Sequence, residues 1–352
     1  MSQTLAIFHD AYRALRARKM FWIVLILSSL VVASFACIGV NDKGLTLLAW
    51  DLHVGPTATE MPPGVLYKFM FASFGVDFWL TWVAAILALI STAGIFPSFV
   101  AKGAINLVVS RPISRLRLFL TQYAAGLLFV TLQIAAFTVA SFLAIGLRGG
   151  LWEPGLFLAV PLVVCFFSYL FCVCVLLGLL TRSTVAALLL TLLFWFLVFI
   201  LHSAETGLLM AKAMAEHERN AAREAAAETR PGTRPSSSPA ASQPNLPPRG
   251  GDESDQDRTA RYLSTAHRVI YGVKTVLPKT AETIDLLKRA LIATADLPKT
   301  GDGSDRTVSM RAAMELAREL RSRSPWWIVG TSLAFEAVIL ALASWVFCRR
   351  DF

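Results

Sequence analysis

Residues 155–204 read GLFLAVPLVVCFFSYLFCVCVLLGLLTRSTVAALLLTLLFWFLVFILHSA, and Arg182 is the single lysine, arginine, aspartate or glutamate in the run. A hydrocarbon core about 30 Å thick needs about 20 apolar residues per crossing, so the run is long enough to cross twice. With the one charge near its middle, it reads as a tight antiparallel helical hairpin, 155–181 and 183–204. Pro161 is tolerated inside the first arm as a kink, because neighbouring helices and side chains re-satisfy the carbonyl it frees.

Outward from the hairpin, four more runs have the same character: 20–40, 78–100, 118–147 and 325–348. The reading is an all-α, polytopic, six-helix membrane bundle. Composition agrees: 55% hydrophobic and 16% charged residues with a mean hydropathy of +0.58 are too apolar for a soluble domain of 352 residues. The net charge of +9 sits beside the spans and not on one basic module, which points to anionic lipid headgroups and away from nucleic acid. Cys37, Cys165, Cys172, Cys174 and Cys348 lie in or at the ends of apolar runs and read as packing residues. Cys172 and Cys174 are two positions apart, about 200° around a helix, so they form no metal pair. The first apolar run starts at Met20, is too long for the core of a cleavable signal, and is followed by five others.

Short loops obey the positive-inside bias. With the amino terminus inside, the inner flanks hold Arg13, Arg16, Arg18, Lys19, Lys102, Arg111, Arg115, Arg117, Arg182, Arg349 and Arg350, against Lys43, Lys68 and Arg148 outside. Both termini are therefore expected in the cytoplasm, and the protein in the cell membrane. Residues 3–19 carry Leu5, Phe8, Tyr12 and Leu15 at helical spacing with basic residues toward their end, the pattern of an interfacial helix. The 41–77 loop, broken by Gly55-Pro56 and Pro62-Pro63-Gly64, is expected outside with at most one short helix.

Between the last two spans lies the long segment 205–324, external by helix count. From Thr206 it carries 19 Lys and Arg against 15 Asp and Glu, and loops of this length translocate largely regardless of charge. Residues 211–228 suit a helix, 230–257 have the composition of disordered chain, and 281–293 and 307–320 are amphipathic and should lie against the membrane or the bundle mouth. The organisation is thus 1–19, an interfacial helix; 20–204, five spans with a basic segment at 98–117; 205–324, the long loop; and 325–352, the last span and tail.

Two features stand out as functional candidates. Residues 102–117, KGAINLVVSRPISRLR, interrupt two apolar runs. Pro112 pushes Arg111 out of helical geometry and suits the first turn of the next helix, with Ser110 and Ser114 as caps. The other is Glu336, alone among acidic and basic residues in the six spans and near the middle of the last one. An ionised carboxylate facing lipid there costs about 3 kcal/mol, so it should face the bundle interior, pair or hold a proton. Ser332 shares its face one turn away. Gln133 and His202 are the partners considered, and depth favours Gln133. The chain has no nucleotide fingerprint: Gly272-Val273-Lys274-Thr275 lacks the Gly-Lys pair and upstream glycine of a P-loop. Metalloprotease and serine-hydrolase motifs are absent too. No enzyme activity is expected of the chain itself.

Residues 103–115, GAINLVVSRPISR, resemble the Gly-Thr-hydrophobic-x-x-Leu-Leu-x-x-Pro-hydrophobic-Ser-Arg signature of membrane subunits of ABC transporters of the type-2 exporter class. The ending Phe347-Cys348-Arg349-Arg350-Asp351-Phe352 resembles that family's Phe-x-Arg-Arg-Asp, and Val276-Leu277-Pro278 resembles its Pro-containing segment before span six. The resemblance implies a six-helix permease subunit that exports as a dimer, with a like or unlike second permease subunit, on two separate ATPase subunits. ATP and Mg would sit on those partners and no cofactor on this chain. It also implies that Lys102, Gly103, Asn106, Ser110, Arg111, Pro112, Ser114 and Arg115 form the coupling element that docks on the ATPase, with Glu336, Ser332 and Gln133 along the translocation pathway. Ala104 replaces the usual Thr, Lys102 stands where many members carry an acid, and the 205–324 loop is longer than usual. The residues alone also fit a secondary transporter or channel coupled through Glu336, or a membrane anchor or assembly protein acting through its long loop.

Overall fold

Apolar runs of this length can satisfy their backbone without water by winding into helices. The computed structural model describes residues 19–41, 44–47, 50–51, 67, 70–97, 114–150, 152–228, 272, 277–293 and 324–349. The helices are α1 (Lys19–Cys37), α2 (Phe71–Pro97), α3 (Arg115–Gly149), α4 (Ala159–Thr181, entered through a 3-10 turn at Pro154–Leu158), α5 (Thr184–Glu228), α6 (Thr280–Ala293) and α7 (Pro325–Arg349). The first half of α2, Phe71–Ala84, has π winding. Five segments are long and apolar enough to cross a membrane: α2, α3, Pro154–Thr181, Thr184–Ala211 of α5, and α7. The apolar part of α1, Phe21–Cys37, is shorter.

Two expectations from the sequence need correction here. The first apolar run does not stay helical to residue 40. It passes into an antiparallel sheet of β1 (Ile38–Asn41), β2 (Gly44–Leu47) and β3 (Trp50–Asp51), with Ile38 opposite Leu47 and Asn41 opposite Gly44. The Tyr67 hydroxyl donates to the Ile38 carbonyl at 2.6 Å. The second span also begins earlier than residue 78, which puts Asp77 inside a helix. Apolar length alone missed both, since Ile38-Gly39-Val40 is as apolar as the helix before it but β-branched at two of its positions.

The chain divides into two units, 1–198 with 277–299 and 325–352, and 199–276 with 300–324. In the first, α4 is central: Phe166, Phe167, Tyr169, Leu170, Phe171, Cys172 and Cys174 are all buried. A helix apolar on every side belongs inside a bundle, and α4 packs against α2, α3, α6 and α7, while α1 packs on α3. Without a hydrophobic force between helices in lipid, close fit holds such contacts together. At Gly126 of α3, an added Cβ would stand 2.7 Å from Cζ of Phe171, so the glycine lets that ring seat against the helix. The α4–α5 hairpin turns at Arg182, whose φ of 54° is left-handed and whose N–H donates to the Gly178 carbonyl at 3.0 Å.

α3 starts where the sequence suggested a cap: Ser114 is extended, and its Oγ accepts from the Arg117 N–H at 3.3 Å. Its 35 residues make about 52 Å of helix, longer than a bilayer core. In the second unit the expected 211–228 helix is the continuation of α5, within which the Thr206 hydroxyl donates to the His202 carbonyl at 3.0 Å. The interfacial helix read over 3–19 (apart from Lys19, where α1 begins), the coupling segment at 98–113, the low-complexity stretch 230–257 and the amphipathic 307–320 lie outside the described residues.

Candidate functional site

α7 presents one buried stripe, Ile328, Ser332, Glu336, Ala343 and Phe347, at the four- and seven-residue spacing of a single helix face. At the Phe347 end, Arg115 Nη1 donates to the Cys348 carbonyl at 3.3 Å. Cations suit that position, because the last carbonyls of a helix have no partner within it and carry its negative dipole end. Around this contact the Phe119 ring lies 5.7 Å from Phe347 and 5.1 Å from Phe96, near the end of α2. The flanks of the 98–113 segment and the end of α7 therefore pack together.

Further along the stripe, Glu336 joins three helices. The Tyr123 hydroxyl of α3 donates to its Oε1 at 2.7 Å, and the Ser168 hydroxyl of α4 donates to its Oε2 at 2.7 Å. Tyr123 also lies 3.3 Å from the Ser168 carbonyl, and its ring stacks on Phe171 at 5.1 Å. Each carboxylate oxygen thus has a donor, which is how a buried carboxyl avoids the cost of lost hydration. Glu336 is 8% exposed, so the sequence reading that it faces the interior is met.

At the far end of the stripe, the Ser332 hydroxyl accepts from the Lys279 N–H at 3.0 Å and donates to the Ile328 carbonyl at 2.9 Å. Lys279 opens α6, and its ammonium lies 4.8 Å from the Trp327 ring, a cation–π distance. α6 is pinned on its other side, where Lys288 Nζ lies 2.7 Å from Oδ1 of Asp77 in α2 and 3.4 Å from Asp285. Burial lowers the Lys288 pKa, but the hydrogen bonds and charges of Asp77 and Asp285 outweigh it and leave the group above its ordinary value.

Gln133 is the correction. Its amide is not paired with Glu336 but lines a separate cavity among α1, α2, α3 and α4. Gln133 and Tyr123 are ten positions apart on α3, about 15 Å along the axis. Matching depths by the middle of each apolar run failed because α3 overruns the bilayer core, so its midpoint does not mark the level of Glu336. His202, the other partner considered, belongs to the second unit. Lys102, Gly103, Asn106, Ser110, Arg111 and Pro112 lie outside the described residues, while Ser114 and Arg115 stand at the start of α3.

A family model described as a protein of unknown function (DUF2705) matches residues 58–212. The match holds Tyr123 and Ser168 but stops well short of Lys279, Ser332 and Glu336. No curated protein matches the chain.

Tyr123, Ser168, Lys279, Asp77 and Lys288 are the site residues that sequence reasoning missed. One signal was available: Ser168-Tyr169 places two hydroxyls in an otherwise apolar span, and a lone intramembrane carboxyl needs donors.

Proposed function

We propose that this chain is the membrane-spanning permease subunit of an ATP-driven exporter of the ABC type-2 class. On this reading it crosses the cell membrane six times, α1 included, with both termini in the cytoplasm. It works as a dimer on separate ATPase subunits that hold ATP and Mg. The observation that carries the reading is the meeting of Arg115 with Cys348 and of Phe119 with Phe347. Arg115, Phe347 and Cys348 belong to the two short motifs on which the family resemblance rests, Phe119 lies one turn past the first of them, and the partners of each contact are over 200 positions apart in sequence.

The functional logic follows from that junction. A push delivered to 98–117 by an ATPase would reach α3 through its capped first turn and α7 through Arg115 and the Phe96, Phe119 and Phe347 rings. From there it would pass along α7 to Glu336 and on to α6 through Ser332. Glu336 then acts as the clasp that α7 must keep or release for the pathway to change state. Electrostatic docking assigns Lys102, Arg111 and Arg115 to an acidic surface of the partner.

The test is co-purification of the tagged chain from its own cells, followed by identification of any ATPase retained and measurement of its hydrolysis. Lys102→Glu with Arg111→Glu, which spares the Arg115 contact to α7, is expected to release the ATPase or to uncouple hydrolysis from transport while the bundle stays folded. A fully coupled, intact complex in that variant, or purification with no nucleotide-binding subunit, overturns the proposal.

A further inference from the structure

Each of the two hydroxyls that hold Glu336 has a second acceptor on the α4 backbone. Ser168 Oγ lies 2.8 Å from the Cys165 carbonyl and Tyr123 Oη 3.3 Å from the Ser168 carbonyl, while each stands 2.7 Å from one oxygen of Glu336. A hydroxyl has one hydrogen and two lone pairs. With both hydrogens given to the carboxyl group, the pair satisfies an ionised Glu336. If Ser168 instead turns its hydrogen to the Cys165 carbonyl, a lone pair of its oxygen faces Glu336 Oε2 at the same distance, ready to accept from a protonated carboxyl. Tyr123 has the longer alternative and goes on donating to Oε1. The cluster is thus hydrogen-bonded throughout with or without one added proton, and neither state requires a helix to move.

From this geometry we infer that Glu336, Tyr123 and Ser168 form a reversible proton-binding site inside the bundle. A proton from water adds to Oε2, the Ser168 hydrogen rotates from Oε2 to the Cys165 carbonyl, and the site passes from negatively charged to neutral. Among the described residues both polar partners of Glu336 are uncharged hydroxyls, so no cation locks it in the ionised form, which is the costly one within a membrane. The titratable groups that face it are Tyr123 of α3 and Cys165, Tyr169 and Cys172 of α4, on all of which its charge acts. Tyrosine and cysteine are ordinarily neutral below about pH 8. α5, whose Phe194 stacks on Phe335, has no titratable side chain over 184–201. α6 brings the buried Lys279 and Glu282. The Lys279 ammonium lies over the Trp327 ring, nine positions and about 13 Å along α7 from Glu336. A proton needs no cavity, so close packing around the cluster is no obstacle. The inference is independent of ATP coupling, because all of the site lies within one chain.

Infrared difference spectroscopy of the full chain in detergent micelles, stepped down in pH and back while circular dichroism stays unchanged, tests it. A carboxylic-acid C=O band is expected to appear on acidification, to vanish on return, and to be missing from the same steps in Glu336→Gln. Ser168→Ala removes the acceptor of the new O–H, so the band should move to higher frequency in that variant. Identical acid bands in the wild type and Glu336→Gln at every pH mean a carboxylate that never takes up a proton. A Glu336-dependent band of constant size means a carboxyl that never gives one up, and either result overturns the inference. So does a Glu336 band that Ser168→Ala leaves in place, because the proton then does not sit on the oxygen facing Ser168. Should Glu336→Gln fail to fold, the pH-dependent band of the unaltered protein and its shift in Ser168→Ala decide. No readout involves an ATPase, so the outcome is separate from that of the permease proposal.

Discussion

Among the buried polar groups of α3, Tyr123 and Gln133 stand about three turns apart and are treated oppositely. Tyr123 is engaged on every side: its hydroxyl is bonded to Glu336, its ring is stacked on Phe171, and Gly126 leaves room for that stack. Among the described residues no group accepts from the Gln133 Nε2, which borders a space with room for about one water. Satisfied polar contacts in a membrane fasten helices, whereas an unsatisfied one adds no fastening and carries the cost of its own burial. Tyr123 thus makes α3 part of a joint between helices, while among the described residues the Gln133 Nε2 joins it to none.

The sharpest way to break this contrast is at the joint. Glu336→Ala removes the carboxylate that joins α7 to α3 and α4, leaving Tyr123 the Ser168 carbonyl at 3.3 Å and Ser168 the Cys165 carbonyl at 2.8 Å; with the cavity left behind, a loss of about 2–3 kcal/mol is expected, read as a lower Tm of the purified chain. Glu336→Gln should fold normally, because it keeps one acceptor, and on the proposed permease reading it should change transport, because it loses the second. If Glu336→Ala costs no more than Gln133→Ala, the joint is not a joint. A double-mutant cycle with Tyr123→Phe should return a coupling energy of about 1–2 kcal/mol.

Next in size is Gly126→Ala, which places a methyl 2.7 Å from the Phe171 ring and should cost about 1–3 kcal/mol by overpacking. Its effect should appear as altered near-ultraviolet circular dichroism from the displaced Tyr123 and Phe171 rings. Unchanged aromatic signals would mean that the stack does not depend on the glycine.

The smallest expected effect lies at α6. The Lys288–Asp77 pair is about one-third exposed on both sides, so solvent screening limits it to about 0.5–1 kcal/mol. Because the folded pKa of Lys288 is raised, its contribution is complete below the ordinary lysine value of about 10.4 and is lost as pH climbs through the folded one. Tm should therefore fall above about pH 10 more in the wild type than in Lys288→Met. Parallel pH curves for the two proteins would remove the pair from the account.

Much of this was legible in the residues. The hairpin around Arg182, the Ser114 cap and the inward-facing Glu336 follow from hydropathy, capping preference and the cost of a buried charge. The amphipathic pattern at 281–293 matched α6, though not that Lys279 would bond Ser332. What was not legible came from geometry with no local signature. Hydropathy cannot tell Ile38-Gly39-Val40 from more helix, nor show that Phe71–Val76, next to the charged Asp77, begins a span. The partner of Glu336 depends on how far α3 is shifted along α7, and apolar length reports that shift poorly when one helix is much longer than the membrane.

α7 is fastened to its neighbours at Cys348, at Glu336 and at Ser332. The first two fasteners lead to the same helix, α3, and lie about 18 Å apart along the axis. The two are unequal: the buried Tyr123–Glu336 bond at 2.7 Å tolerates little sliding, whereas the Arg115 side chain, at an exposed contact, is long enough to follow one. The level of Glu336 therefore acts as the pivot of the α3–α7 pair, and the Cys348 end as its looser tether.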